Sequence, residues 1–357
     1  MRQQSVSSAY AAAELRARDH RANHDFSEAA SSASRAAEIA LNDGDFESWW
    51  SMTYLRAESH LSDANFEGCA DAASTLVMEP HAISPQLRAQ VHILMAKAHQ
   101  GSGLLESAVS EAKAAVELTN DESDVDVNVQ ARQALIATLA DSGKLDEAWS
   151  ESKGLAAVIS DEVDEQLAGK AFWVIGNVAF LCNNVEEGLR YHELAASTFS
   201  PARDLNIWAK FNKASAAMRL AANVADPDTL RCIERAELAT DVIGGSENDL
   251  LLLRRNRAHW SFLAGDAKSA VDILEDICET GTTTPQNMGD ACLLLGRAYI
   301  ATGDKIAARR ALAEAAAHFE SAGAPHRAQQ TRDFVKAELG GRSFRSWLVR
   351  VTGSGRS

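Results

Sequence analysis

Residues 291–319 read ACLLLGRAYIATGDKIAARRALAEAAAHF. Leu295 and Tyr299 before the turn Gly303-Asp304, and Ala308, Leu312 and Ala315 after it, recur at the spacings of a helical face. The stretch predicts two antiparallel helices joined by a tight turn, an αα-hairpin. Gly296 stands seven residues before Gly303 and Ala308 five after it. Where two such helices approach most closely, only small side chains fit.

The same hairpin recurs along the chain. Taking Gly303 as reference, earlier turns fall at His24, Ala64, Gly103, Gly143, Asn183, near Pro227, and at Gly265, in steps of roughly 40 residues. Ala29, Cys69, Ala108, Ala148, Gly188 and Ala270 follow their turns as Ala308 follows Gly303. Ala17, Ala57, Ala96, Gly176 and Ala258 precede theirs as Gly296 does, with Ile136 the exception. The sixth pair is irregular: Leu205 to Ala222 reads as its first helix and Thr229 to Ile243 as its second, with Asp228 as N-cap.

Leu295, Gly296, Tyr299, Gly303, Asp304, Ala308, Leu312 and Ala315 stand at the spacings of the tetratricopeptide signature, and the chain resembles that family. The expected fold is all-α: a right-handed α-solenoid of about eight tetratricopeptide-like helix pairs plus a C-terminal capping helix. The pairs are expected near 5–42, 46–80, 85–119, 125–160, 164–200, 203–243, 246–280 and 285–322, with the cap at 325–339. A tetratricopeptide repeat takes about 34 residues, so each helix here is longer by up to about one turn. HEAT repeats, of similar length, are the structural runner-up. A basic tail, 340–357, carries Arg342, Arg345, Arg350 and Arg356 and reads as a solvated terminus.

The composition agrees with helices. Of 357 residues 46% are hydrophobic but only 6% aromatic, and Ala, the strongest helix former, supplies much of the rest. All six prolines fall between expected helices or in first turns. A net charge of −15 opposes the phosphate backbone, so direct nucleic-acid binding is not expected. Five dispersed cysteines without CxxC spacing read as buried thiols in a reducing compartment. With neither a signal-peptide core nor an 18-residue apolar run, the expected location is the cytoplasm and no membrane association.

Other motifs do not extend to a site. His20/His24 and His92/His99 lack further metal ligands. Gly101-Ser102-Gly103 follows a helix and lacks a third glycine. Ser110–Lys113 has SxxK spacing without partner motifs. The run Asp121–Asp126 lacks the central Gly and terminal Glu of a calcium loop. No catalytic constellation appears, so the chain is not expected to be an enzyme, and neither cofactor nor metal is expected.

The resemblance implies that the first helix of each pair lines a concave groove. Six residues before the turns stand Arg18, Glu58, Lys97, Ala137, Asn177, His259 and Arg297; ten before stand Glu14, Tyr54, Ile93, Gln133, Trp173, Arg255 and Leu293. Asn212 is expected in the same band, with Asn256 beside Arg255. A carboxamide offers both a donor and an acceptor and can match a peptide backbone amide, whereas Arg can clamp a carboxylate. The candidates for a partner-binding groove are therefore Lys97, Gln133, Trp173, Asn177, Asn212, Arg255, Asn256, His259 and Arg297. The same residue types also suit an ordinary solvated helix face. With its asparagines, the band resembles the peptide-sensing solenoid domains of Gram-positive regulators, whose grooves hold pheromone backbones. Such regulators normally carry an N-terminal helix-turn-helix, and residues 1–42 show no recognition-helix pattern. The expected function is a protein- or peptide-binding scaffold or adaptor with a regulatory role. The alternatives are a peptide-sensing transcriptional regulator acting through a partner or a separate DNA-binding domain and, more weakly, a helical-repeat enzyme. Self-association into a homodimer stays open.

Overall fold

The structure, a computed structural model, describes residues 7–78, 84–119, 124–280 and 283–340. The basic tail beyond Gly340 and residues 120–123 of the acidic run lie outside the described residues. Among the described residues there are seventeen α-helices and no strand. The chain divides into two compact units, Met1–Thr198 and Phe199–Ser357.

The first unit holds α1 (Ser8–Ala22), α2 (Phe26–Asn42), α3 (Phe46–Ser62), α4 (Phe66–Val77), α5 (Pro85–Gly101), α6 (Leu105–Glu117), α7 (Val125–Asp141), α8 (Leu145–Val158), α9 (Glu165–Leu181) and α10 (Val185–Thr198). The second holds α11 (Leu205–Ala221), α12 (Pro227–Ile243), α13 (Glu247–Leu263), α14 (Ala267–Thr280), α15 (Pro285–Thr302), α16 (Lys305–Ser321) and α17 (Pro325–Leu339). Within each unit, consecutive helices pack on one another as a stack of hairpins. The tetratricopeptide-like helical repeat is thus the architecture of both.

All eight hairpin turns close in the same way. His24, Ala64, Gly103, Gly143, Asn183, Asn223, Gly265 and Gly303 have φ between +56° and +93°. The amide after each donates to the carbonyl five residues earlier, from Asp25 to His20 through Asp304 to Tyr299, at 2.8–2.9 Å. This is the 6→1 bond that satisfies a free carbonyl at a helix C-terminus. Glycine supplies four of these left-handed residues. The others are His, Ala and two Asn, and Ala64 bears the full steric cost of its Cβ.

The sixth turn differs from the sequence reading. Its left-handed residue is Asn223, four residues before Pro227. α12 begins at Pro227, two residues earlier than expected, with proline in the first turn, where its missing N–H costs nothing. The cap is Asp226, whose carboxylate accepts from the Thr229 amide at 2.7 Å. Asp228 pairs instead with Arg231. The loop places buried Thr229 six residues after Asn223, so one added residue shifts the register and the hairpin persists.

Small residues occupy the closest approaches. Ala17, Ala57, Ala96, Ala258, Ala29, Cys69, Ala108, Ala148, Ala270 and Ala308 are fully buried. A Cβ on Gly296 would collide with Leu312, and one on Gly176 with the His192 ring. Around these contacts lie separate apolar cores. Leu135, Ile136, Leu155 and Ile175 anchor the largest in the first unit, and Leu274, Ile277, Leu295 and Leu312 the main one in the second. α17 packs on α16 through Ala328, Phe319 and Ala316. No helix among the described residues is long and apolar enough to cross a membrane.

Candidate functional site

In the first unit two of the four candidates, Gln133 and Asn177, are engaged with neighbouring helices. Gln133 on α7 donates from Nε2 to the Leu167 carbonyl at 3.1 Å, tying α7 to α9. The Asn177 Oδ1 on α9 lies 3.1 Å from Nε2 of His192, a buried residue on α10 whose ring meets Phe180 edge-on. Trp173 is half-buried on the same helix. Lys97 on α5 is open to water on one side and crowded on the others. Loss of solvent pushes its ammonium below the ordinary lysine range, Lys170 adds to this, and Glu58 opposes it. Burial raises the Glu58 carboxyl against the attraction of Arg21, 3.1 Å away, and of Lys97. Tyr54, stacked on Trp50 with ring centroids 5.3 Å apart, is raised by burial and then by Glu58.

The second unit gathers four of the candidates around one cavity. Arg255, Asn256 and His259 come from α13 and Arg297 from α15, and they line a recess of about 360 Å³. Arg255 and Asn256 stand four and three residues before His259 on α13, the spacings that make helix residues neighbours. Asp290 and Leu293 of α15, Leu220 of α11, Asn223 and Arg327 of α17 complete the wall. An adjoining recess of about 380 Å³ shares Asn223, Leu293, Arg297 and Arg327 and continues over Gln330, Thr331 and Phe334.

The electrostatics of this wall are lopsided. Asp290 is its one carboxylate, and it bridges two guanidiniums, Arg327 at 2.5 Å and Arg255 at 3.4 Å. Arg297 makes no ion pair among the described residues; its guanidinium lies 5.2 Å from the Phe262 ring centroid. Burial pulls both Arg255 and Arg297 below the usual arginine range. Between these cations, His259 is held neutral: burial, then Arg297, then Arg255 lower its imidazole from 6.5 to about 4. Its Nε2 is buried without a hydrogen-bond partner among the described residues. Asn256, only 5% exposed, stands beside it in the wall.

Asn212 does not join this band. Once Asn223 is the turn residue, the positions six and ten before it are Ala217 and Lys213. Asn212 points into the helix packing at 1% exposure, where its Nδ2 donates to the Trp208 carbonyl at 2.8 Å. Sequence reasoning also missed Asp290 and Arg327. Arg327, Gln330, Thr331 and Phe334 recur at i, i+3, i+4 and i+7 on α17, a partly polar stripe that a plain capping helix does not require. That spacing was the available signal. Among the described residues no three His, Cys, Asp or Glu side chains are placed to hold a metal ion.

No protein-family model matches the chain, nor does any curated protein. Solved structures do. The chain is similar to the quorum sensor NprR from B. thuringiensis in its apo form, at 12% identity and TM-score 0.57, covering 94% of this chain and 90% of that one. It is similar to a Rap protein complexed with Competence and Sporulation Factor, at 14% identity and TM-score 0.54, covering 84% and 77%. It is also similar to the Rap conjugation gene regulator of plasmid pLS20 in complex with the Phr* peptide, at 11% identity and TM-score 0.53, covering 94% and 98%. At these identities the likeness is one of fold: a tetratricopeptide-like helical repeat of the kind found in peptide-sensing regulators of Gram-positive bacteria.

Proposed function

We propose that this chain is a regulatory helical-repeat protein that binds a polypeptide ligand, seated at the recess of its second unit. One observation carries the reading. Four groove positions from two first helices, Arg255, Asn256, His259 and Arg297, converge on a cavity where, among the described residues, His259 Nε2 has no hydrogen-bond partner and Arg297 no ion pair. A recess lined by buried or half-buried polar groups and by leucines suits an extended segment: the polar groups fix its backbone and the apolar wall takes its side chains. Two similar folds were solved with a signalling factor or peptide bound, which supports the same use here. Because the net charge is −15, regulation is expected to pass through a protein partner rather than through direct contact with DNA.

The test is selection from a random peptide library on the immobilised full chain, repeated with Asn256→Ala. The wild type should enrich a peptide family that the variant, folded by circular dichroism, retains at least about tenfold less well. Enrichment of the same family with equal retention by the variant would remove the recess from the binding site, and no enrichment at all would sink peptide binding.

A further inference from the structure

We infer that the second-unit recess is a proton-coupled carboxylate site: Arg297 receives a carboxylate of the ligand, and His259 beside it takes up a proton as the anion enters. This deepens the peptide-binding reading and rests on it for the source of the carboxylate.

Three features point to an anion. In a chain of net charge −15, this wall sets three guanidiniums against one carboxylate. Asp290 is committed to Arg255 and Arg327, which leaves Arg297 as the guanidinium without an anionic partner. A half-buried cation in that state gains most from an entering charge, since low local dielectric strengthens the pairing and a guanidinium fork matches two carboxylate oxygens.

The proton follows from the same geometry. The charged groups facing His259 are Arg255 on its own helix, Arg297 and Asp290 on α15, and Arg327 on α17; α11 presents only Ala217, Leu220 and Ala221 to the recess, followed by the turn residue Asn223. Burial first, and then these cations, keep the imidazole neutral, with Nε2 buried and unbonded among the described residues. A carboxylate on Arg297 cancels the larger of the two repulsions and offers Nε2–H an acceptor. Both changes favour the imidazolium, so binding draws one proton from solvent, and affinity must rise as pH falls. Asn256 supplies an amide donor on the other flank. A carboxylate is favoured over phosphate because the ligand is read as a peptide.

The experiment uses the full chain with isotope-labelled histidine. N-acetylaspartate is the carboxylate probe, inorganic sulfate the tetrahedral anion that does not titrate in the range used, and N-acetylasparagine amide the neutral control. Binding is followed through the His259 ring resonances, assigned with His259→Gln, at pH 7.5 and 5.5. N-acetylaspartate should bind at least about fivefold more tightly at the lower pH, with the ring signal moving toward the protonated position. Arg297→Gln should abolish binding, Arg297→Lys should restore part of it, and His259→Gln should bind without the pH dependence. Binding of sulfate alone would overturn the carboxylate assignment; pH-independent binding would overturn the proton coupling. Equal retention of library peptides by wild type and Arg297→Gln would overturn the anion site while leaving peptide binding intact. Binding of N-acetylaspartate with no peptide enriched would do the reverse.

Discussion

The two units carry the same repeat and put comparable residues at its groove positions, yet they use them differently. In the first unit, Gln133 and Asn177 bond to neighbouring helices, and Glu58 lies between Arg21 and Lys97. In the second, Arg297 makes no ion pair and Nε2 of His259 no hydrogen bond among the described residues, and both face a cavity. A polar side chain at a groove position is therefore not by itself a binding residue. What separates scaffold from receptor is whether its hydrogen bonds and charge are already satisfied, since an unsatisfied buried group holds its desolvation cost until a ligand removes it.

Exchanging like for like should break or confirm this contrast. The largest effect is expected on binding: Asn256→Ala with Arg297→Ala should weaken a selected peptide by about 100-fold or more, measured by calorimetry, because a charge-assisted contact is lost. Gln133→Ala with Asn177→Ala should leave affinity within about threefold and instead destabilise the fold by about 2 kcal/mol in urea titration, since His192 and the Leu167 carbonyl lose their partners. If the first-unit variant loses binding as the second does, the contrast fails.

Acid should come next, and it should strike the second unit. The His259 pKa is about 4 in the folded state and 6.5 in its absence, so the unfolded chain binds the extra proton between those values. The stability this neutral histidine preserves is complete above about pH 6.5 and is lost progressively toward pH 4, by up to about 3 kcal/mol. Hydrogen exchange should show the loss in α13 and α15, and His259→Gln should flatten it. An unchanged acid profile in that variant would show that another group controls the slope.

Smaller effects distinguish the turns. Asp226→Ala removes the cap of the one lengthened turn and should cost about 1 kcal/mol, seen as a lower melting temperature. Ala64→Gly, at φ +56°, should gain about 0.5 kcal/mol, because relief of the left-handed strain slightly exceeds the added chain entropy. A destabilised Ala64→Gly would mean that its methyl group matters more than its backbone.

How much of this was legible in the sequence follows from which interactions are periodic. Small residues five after and seven before most turns exposed the hairpins even where the turn residue was His24 or Ala64, because helix apposition repeats with the chain. The sixth turn was misplaced because Asp226-Pro227-Asp228 is a louder local signal than Asn223, whose left-handed backbone leaves no mark beyond its side chain. That error carried Asn212 into a groove it does not line. Asp290 and Arg327 stayed hidden for a different reason: they meet across helices far apart in sequence, and only the packing of α17 brings them together.

Asp290 gives the recess a resident competitor. It is a carboxylate permanently tethered to Arg255 and Arg327, so an incoming acid meets at those two guanidiniums a rival that never diffuses away, and only Arg297 is left open to it. The wall thus neutralises two of its three guanidiniums from within and leaves a single open charge for an anion from outside.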